Sequence, residues 1–147
     1  MKDREFDLIC MGRAAVDLYA EQVGASLEGA QSFSKYLGGC AANVAVGSSR
    51  LGLKTAMLTR LGKEAMGSFV KDTLDQEGVN TDLITFDEER LTGLVLLGVQ
   101  PPDNFPLLFY RENCADMAIS TDDFSEKDLA KSHALLVTGT HFSTEES

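Results

Sequence analysis

GGCAANVA, residues 38–45, sets two glycines side by side and follows them with small residues and one amide, Asn43. The stretch 41–51, AANVAVGSSRL, predicts a helix ended by Gly52, so the glycine pair stands at its N-terminus. A helix that begins with so little side-chain bulk has two explanations. One is close packing on a sheet, with Asn43 as an ordinary cap. The other is a ligand that touches the backbone. Glycine leaves that approach open, with the first amides pointing into open space, and a helix N-terminus favours polar or anionic groups. Asn43 then offers a donor and an acceptor to a polyhydroxylated molecule. The stretch alone leaves both explanations standing.

Working outward, residues 6–11, FDLICM, read as a buried strand closed by Gly12. Residues 13–37 alternate loosely and are broken by Gly24 and Gly29, which predicts one or two exposed strands. After the helix, 55–62 read as a second buried strand. Residues 65–77 then place Met66, Phe69, Val70 and Leu74 at helical spacing, with Gly78 as terminator. The resulting β-α-β-α order predicts a parallel sheet layered with helices. The next stretch breaks that order. Residues 92–100 and 106–113 are rich in strand formers and flank the turn-rich PPDNF, which predicts an antiparallel pair in a small accessory sheet. The 13–37 segment is the candidate source of its partner strands. Ser125 and Asp128 predict a capped short helix, and 134–139 a further strand. Ser143 and Glu146 have capping-box spacing with no helix behind them, so the chain, which runs to Ser147, is expected to stop inside a βα unit.

Size and composition narrow the function. The chain has 147 residues, 44% of them apolar and 24% charged, as in one ordinary globular domain. A net charge of −10 argues against a nucleic-acid or anionic-membrane surface, but leaves room for a small anion held by local cations. Nothing reads as a signal peptide or a membrane span. Three separated cysteines, Cys10, Cys40 and Cys114, read as free thiols of a reducing cytoplasm, and with two distant histidines they predict no metal site.

Nucleotide motifs fail on inspection. GSSRLGLKT, 47–55, misplaces the lysine of a phosphate loop by one position, GKEAMGSF lacks it, and the turn GRAAVD has no dinucleotide glycine pattern. Several single residues have both a functional and an ordinary reading. Asp17 follows the first strand, where a carboxylate could accept two sugar hydroxyls or merely face solvent. Arg111, beside Tyr110 at a strand end, could fork onto a carboxylate or stand in solvent. Arg13 shares that ambiguity. Glu64 could bind a ligand or favour a helix N-terminus.

Together these residues resemble the ribokinase-like (PfkB-type) carbohydrate kinases. The paired glycines and Asn43 are followed at set intervals by Gly52 and Gly62, and the family element G-x-D-x-x-G is matched by Gly62-Lys63-Glu64-Ala65-Met66-Gly67, with glutamate for the usual aspartate. GRAAVDLYAEQ, FSKYLGGCAANVAVG, LTGLVLL, YRENCADMAIS and ALLVTGT narrow the resemblance to a branch that phosphorylates a keto-deoxy sugar acid of myo-inositol breakdown. The alternatives are a ketodeoxygluconate kinase, a fructokinase, or a non-catalytic metabolite-binding or dimerising fragment.

The resemblance implies an α/β fold, a three-layer α/β/α domain with a small β-sheet lid built from about 13–37 and 92–112. It implies that Asp17, Gly38, Gly39 and Asn43 hold sugar hydroxyls, and that Tyr110 and Arg111, with Arg13, meet the substrate acid. Pairing of two lids into a homodimer is a further implication. The family's G-A-G-D motif, which supplies the aspartate base and anion hole, has no counterpart here, so the resemblance puts that base beyond Ser147 and no catalytic residue within 1–147. It therefore covers the N-terminal half of such an enzyme, and ATP and Mg2+ are expected of the complete protein only.

Overall fold

The computed structural model describes residues 4–142. Ser143 and Glu146, the capping-box pair, lie outside the described residues, and so does Ser147, the position after which the catalytic base is expected. Among the described residues eight strands and three α-helices follow in order: β1 Phe6–Met11, β2 Ala15–Ala20, β3 Phe33–Gly38, α1 Cys40–Arg50, β4 Thr55–Gly62, α2 Ala65–Gln76, β5 Ile84–Asp87, β6 Leu94–Leu97, β7 Leu107–Tyr110, α3 Glu126–Leu129 and β8 Ser132–Val137.

They form two four-stranded sheets. The main sheet has the order β5-β4-β1-β8 and is parallel throughout. Its central strands alternate between two cores, as a sheet covered on both faces must. Leu8, Cys10, Met57 and Leu61 face one core, where Ala41, Ala42 and Ala45 of α1 and Val70 and Leu74 of α2 close the layer. Ile9, Ala56 and Leu58 face the other, with Ile119, Phe124 and Leu129 from the segment that ends in α3. The small residues of α1 thus do one predicted job: they bring that helix close to β1 and β4.

The second sheet, β3-β2-β6-β7, is the lid, built from the two regions that broke the βα order. β2 and β3 pair antiparallel from Ala15↔Gly38 to Ala20↔Phe33, and β6 and β7 pair antiparallel as predicted. The two hairpins join through a parallel β2–β6 ladder, Val16↔Leu94 to Tyr19↔Leu97. On one face Leu18, Leu37 and Leu94 pack on the first core beside Met66 and Phe69 of α2.

Some boundaries shift. The strand expected at 134–139 begins at Ser132, where its ladder with Phe6 begins. The helix after Ser125 is a single turn, held by the predicted capping box between Ser125 and Asp128. β5 is not legible in the sequence at all. Its four residues, ITFD, are too few to show a period, and pairing with β4 creates the strand.

Candidate functional site

The paired glycines meet protein on the sides where a side chain would stand. Gly39 is the N-cap of α1, at φ 99°. A Cβ there would strike the Arg13 carbonyl and come within 2.9 Å of Ala14 Cα. The β1–β2 turn and the β3–α1 junction can approach this closely only through glycine. Ala42 N–H donates to the same Arg13 oxygen at 3.5 Å. At Gly38 a Cβ would overlap the Asp17 carboxylate, so the missing side chain makes the seat for Asp17. Asn43 is not a cap. It is the fourth helical residue, its N–H donating to Gly39 O at 2.9 Å, and it is exposed. With Asp17, Tyr19, Tyr36 and Leu37 it lines a cavity of about 450 Å³.

Register decides what shares the lid's other face. Asp17 aligns with Tyr36 on β3 and with Val95 on β6, and Val95 aligns with Phe109 on β7. Aligned residues point the same way, so Asp17 and Phe109 stand in one row. The Arg13 guanidinium completes that row: its carbon lies 5.6 Å from the centre of the Phe109 ring. Arg13 Nε is buried without a protein partner among the described residues. Burial pushes the Asp17 carboxyl up from its ordinary value, and the Arg13 charge pulls it part of the way back. Tyr19 and Tyr36 meet edge to face at 5.3 Å beside it. The face therefore offers a carboxylate, a cation and two phenols next to the amide of Asn43.

Arg111, two residues beyond Phe109, continues the same face, and its Cγ lies 3.7 Å from where a Cβ of Gly93 would be. It does not stand in solvent at a strand end. Nε and Nη2 both donate to Asp116 Oδ2, at 2.9 and 2.7 Å, and the two side chains are 14% and 1% exposed. Tyr110 is not brought to this group. The alternation of β7 turns it to the opposite face, where it is 57% exposed. Sequence reasoning misses Asp116. Its only signal is an acid five residues after the arginine, and nothing in that spacing says that the two side chains meet.

Glu64 resolves toward its ordinary reading. Its side chain caps α2, accepting from Met66 N–H at 2.5 Å and Gly67 N–H at 3.1 Å, and also accepts from Thr92 N–H at 3.2 Å. Burial works against its ionised form, but the bonds from Thr92, Met66 and Gly67 outweigh it and hold the carboxyl below the usual range. The residue therefore ties α2 to the segment that enters β6. The three cysteines are free, and burial pushes the Cys10 thiol up to about 11. Among the described residues no group of three or more His, Cys, Asp or Glu is placed to hold a metal. Nor is any helix there long and apolar enough to cross a membrane.

Known proteins share both sequence and geometry. A family model described as pfkB family carbohydrate kinase matches residues 5–147. The 5-dehydro-2-deoxygluconokinase of Halalkalibacterium halodurans is 38% identical over 142 residues, 96% of this chain and 43% of that protein. The crystal structure of a PfkB protein from Polaromonas sp. superposes with a TM-score of 0.84 at 31% identity, over 88% of this chain and 44% of its own. An uncharacterized sugar kinase from Pyrococcus horikoshii, in complex with ATP, gives 0.82 at 27% identity, over 88% of this chain and 42% of its own. The chain thus spans less than half the length of these relatives. On the extent of this match, the chain belongs to the pfkB family of carbohydrate kinases and carries the N-terminal, lid-bearing portion of the ribokinase-like fold.

Proposed function

We propose that the full-length protein is an ATP-dependent kinase of the cytoplasm that phosphorylates 5-dehydro-2-deoxy-D-gluconate at its primary hydroxyl, within myo-inositol degradation. The observation that carries this reading is the lid face. Arg13, Asp17 and Arg111 share it, and Asp17 and Asn43 line one cavity. Asp17 and Asn43 suit hydroxyls. The two guanidinium groups suit a carboxylate, and a protein with net charge −10 needs local cations to hold an anion. The relative from Halalkalibacterium halodurans, named for the same sugar acid, supports the choice of substrate.

ATP and Mg2+ are assigned to the full-length protein: among the described residues no group of three or more His, Cys, Asp or Glu is placed to hold a metal, and the Cβ sides of Gly38 and Gly39 pack against Asp17 and the Arg13 carbonyl. The role of this chain's residues is to bind and orient the sugar acid and, as the lid settles, to keep water from competing as acceptor. In the full-length protein, Arg111→Ala is expected to raise KM for the sugar acid by roughly 10–100-fold, the scale of a lost charge-assisted hydrogen bond. An unchanged KM, or a strong preference for D-fructose across a substrate panel, would overturn the carboxylate reading.

A second copy of the chain is the partner we propose for the lid edge. Among the described residues β7 has no neighbour on its outer side, and Leu107, Leu108, Phe109 and Tyr110 are each about half exposed, at 51, 46, 50 and 57%. An apolar edge strand of this kind invites pairing. A melting temperature of the full-length protein that does not change with dilution would remove the second copy.

A further inference from the structure

We infer that Asp116 is a positioning residue for substrate recognition: it holds the Arg111 guanidinium in the one orientation that presents its remaining N–H groups to the sugar acid's carboxylate. This rests on the reading of Arg111 given above and goes beyond it, because it assigns the geometry of that contact to a buried acid that does not line the cavity.

An arginine carries a long, rotamer-rich stem, and its planar fork recognises a carboxylate in two-point fashion only when its plane is fixed. Arg111 stands just past the end of β7, an exposed edge strand, so the strand itself gives its tip no anchor. Asp116 supplies one. It lies in the 3-10 turn Ala115–Ala118, which is tied to the chain before β6 by Ala115 N–H donating to Leu91 O at 2.9 Å. Ala115 is 0% exposed and Asp116 2%. Gly93 makes room: Arg111 Cγ, Asp116 Oδ1 and Cys114 Cβ all lie 3.7–3.9 Å from where its Cβ would be.

The contact is asymmetric. Both Nε and Nη2 of Arg111 converge on Oδ2, while Oδ1 is buried without a partner among the described residues. A carboxylate placed for stability alone would have both oxygens satisfied. This one is anchored through a single oxygen that takes one edge of the guanidinium, which leaves the Nη1 edge uncommitted. His141 and Cys114, both buried, are titratable groups close enough to feel Asp116, and burial first, then Asp116, pushes the Cys114 thiol up and so keeps it uncharged. Burial holds the His141 imidazole below its ordinary pKa, against the pull of Asp116, so at neutral pH it adds no charge to compete for the acid.

The test is steady-state kinetics on the full-length protein with 5-dehydro-2-deoxy-D-gluconate and ATP. Asp116→Asn should raise KM for the sugar acid about tenfold, the scale of one charge-assisted contact, with kcat and KM for ATP unchanged. A purely structural acid would instead move kcat and both KM values together or none of them, and that result overturns the inference. So does a lower KM, which would mean that Asp116 only offsets the charge of Arg111.

Loss of Asp116 alone leaves a part-buried guanidinium unpaired, a change large enough to threaten folding itself, so the decisive variant is the pair Arg111→Met with Asp116→Leu, in which both charges go. Against Arg111→Met alone, the added Asp116→Leu should change KM for the sugar acid by less than about twofold, because a positioning residue has nothing left to position. A further rise would show that Asp116 acts by another route. If Arg111→Met itself leaves that KM unmoved, the reading of Arg111 fails, whatever Asp116 does. If Arg111→Met raises it and Asp116→Asn does not, the inference fails and the reading of Arg111 stands.

Discussion

The main sheet and the lid are each four strands wide, and they are held by different means. In the main sheet β1 and β4 are covered on both faces, and Ile9, Met57, Leu58 and Leu61 are each 0% exposed. In the lid only β2 is comparably buried. β7 is exposed along its whole length and β3 along part of it. Burial of apolar area is the main favourable contribution to folding, so the main sheet is the structural element. The lid gives its surface to Asp17, Tyr19 and Tyr36, which do little for stability and line a cavity. The sheets are joined where the β1–β2 turn meets the β3–α1 junction, and that joint depends on Gly39.

The joint should therefore be the most sensitive point. Gly39→Ala adds a methyl where Arg13 O and Ala14 Cα already stand, at a backbone φ of 99°. Both obstacles are main chain, so no side chain can swing away. The expected loss is about 4 kcal/mol or more, in the range reserved for few mechanisms, read as failure to recover folded full-length protein. Gly38→Ala clashes with a side chain instead, the Asp17 carboxylate. Pairing it with Asp17→Gly should restore folding, whereas the same Asp17 change should not rescue Gly39→Ala. Equal rescue of both would break the distinction between a joint made of backbone and a seat made for a carboxylate.

The next effect compares the sheets directly. Leu58→Ala empties a fully buried site between β4 and the Ile119–Leu129 side of the core, and should cost about 3 kcal/mol in denaturant unfolding at any protein concentration. Leu108→Ala on β7 should cost within about 0.5 kcal/mol in dilute protein, because nearly half of that side chain is already in water. If a second copy covers β7, the Leu108 effect should grow as protein concentration rises and the Leu58 effect should not. Equal costs at high dilution would mean that the lid edge is as firmly packed as the main sheet.

The same contrast governs what is legible in the sequence. β1 and β4 read as apolar runs because a strand buried on both sides has little polar residue to interrupt it, and β8 reads as one although its Leu135 is 43% exposed. β5 escapes because it is short and sits at the sheet edge. The lid strands are legible, and so is the β6–β7 hairpin, since a hairpin is decided by a local turn. The parallel β2–β6 contact is not, because Val16 and Leu94 are far apart in sequence and no local feature announces the pairing. In the site, Arg13, Asp17 and Asn43 stand out as polar residues at element ends. The fate of Arg111 is hidden: an exposed-looking strand-end arginine becomes a sheltered one only when the 3-10 turn folds back over Gly93 and delivers Asp116.

The smallest effect concerns the Asp17 seat and carries a pH signature. Burial raises the pKa of Asp17 above its unfolded value, so between those two values the folded state binds protons that the unfolded state does not. Its ionised form is therefore a small burden on the fold above that window, and the burden disappears as pH falls below the unfolded pKa. Asp17→Asn keeps the shape of the side chain and removes the charge. It should raise the melting temperature of the full-length protein slightly at pH 7, lose that advantage in acid, and weaken sugar-acid binding at every pH. Arg13 opposes the gain, since its guanidinium loses a counter-charge and then depends on the Phe109 ring and on the ligand. A melting temperature that falls at pH 7 would show that attraction to Arg13 outweighs burial, and that Asp17 stabilises the lid as well as lining its cavity.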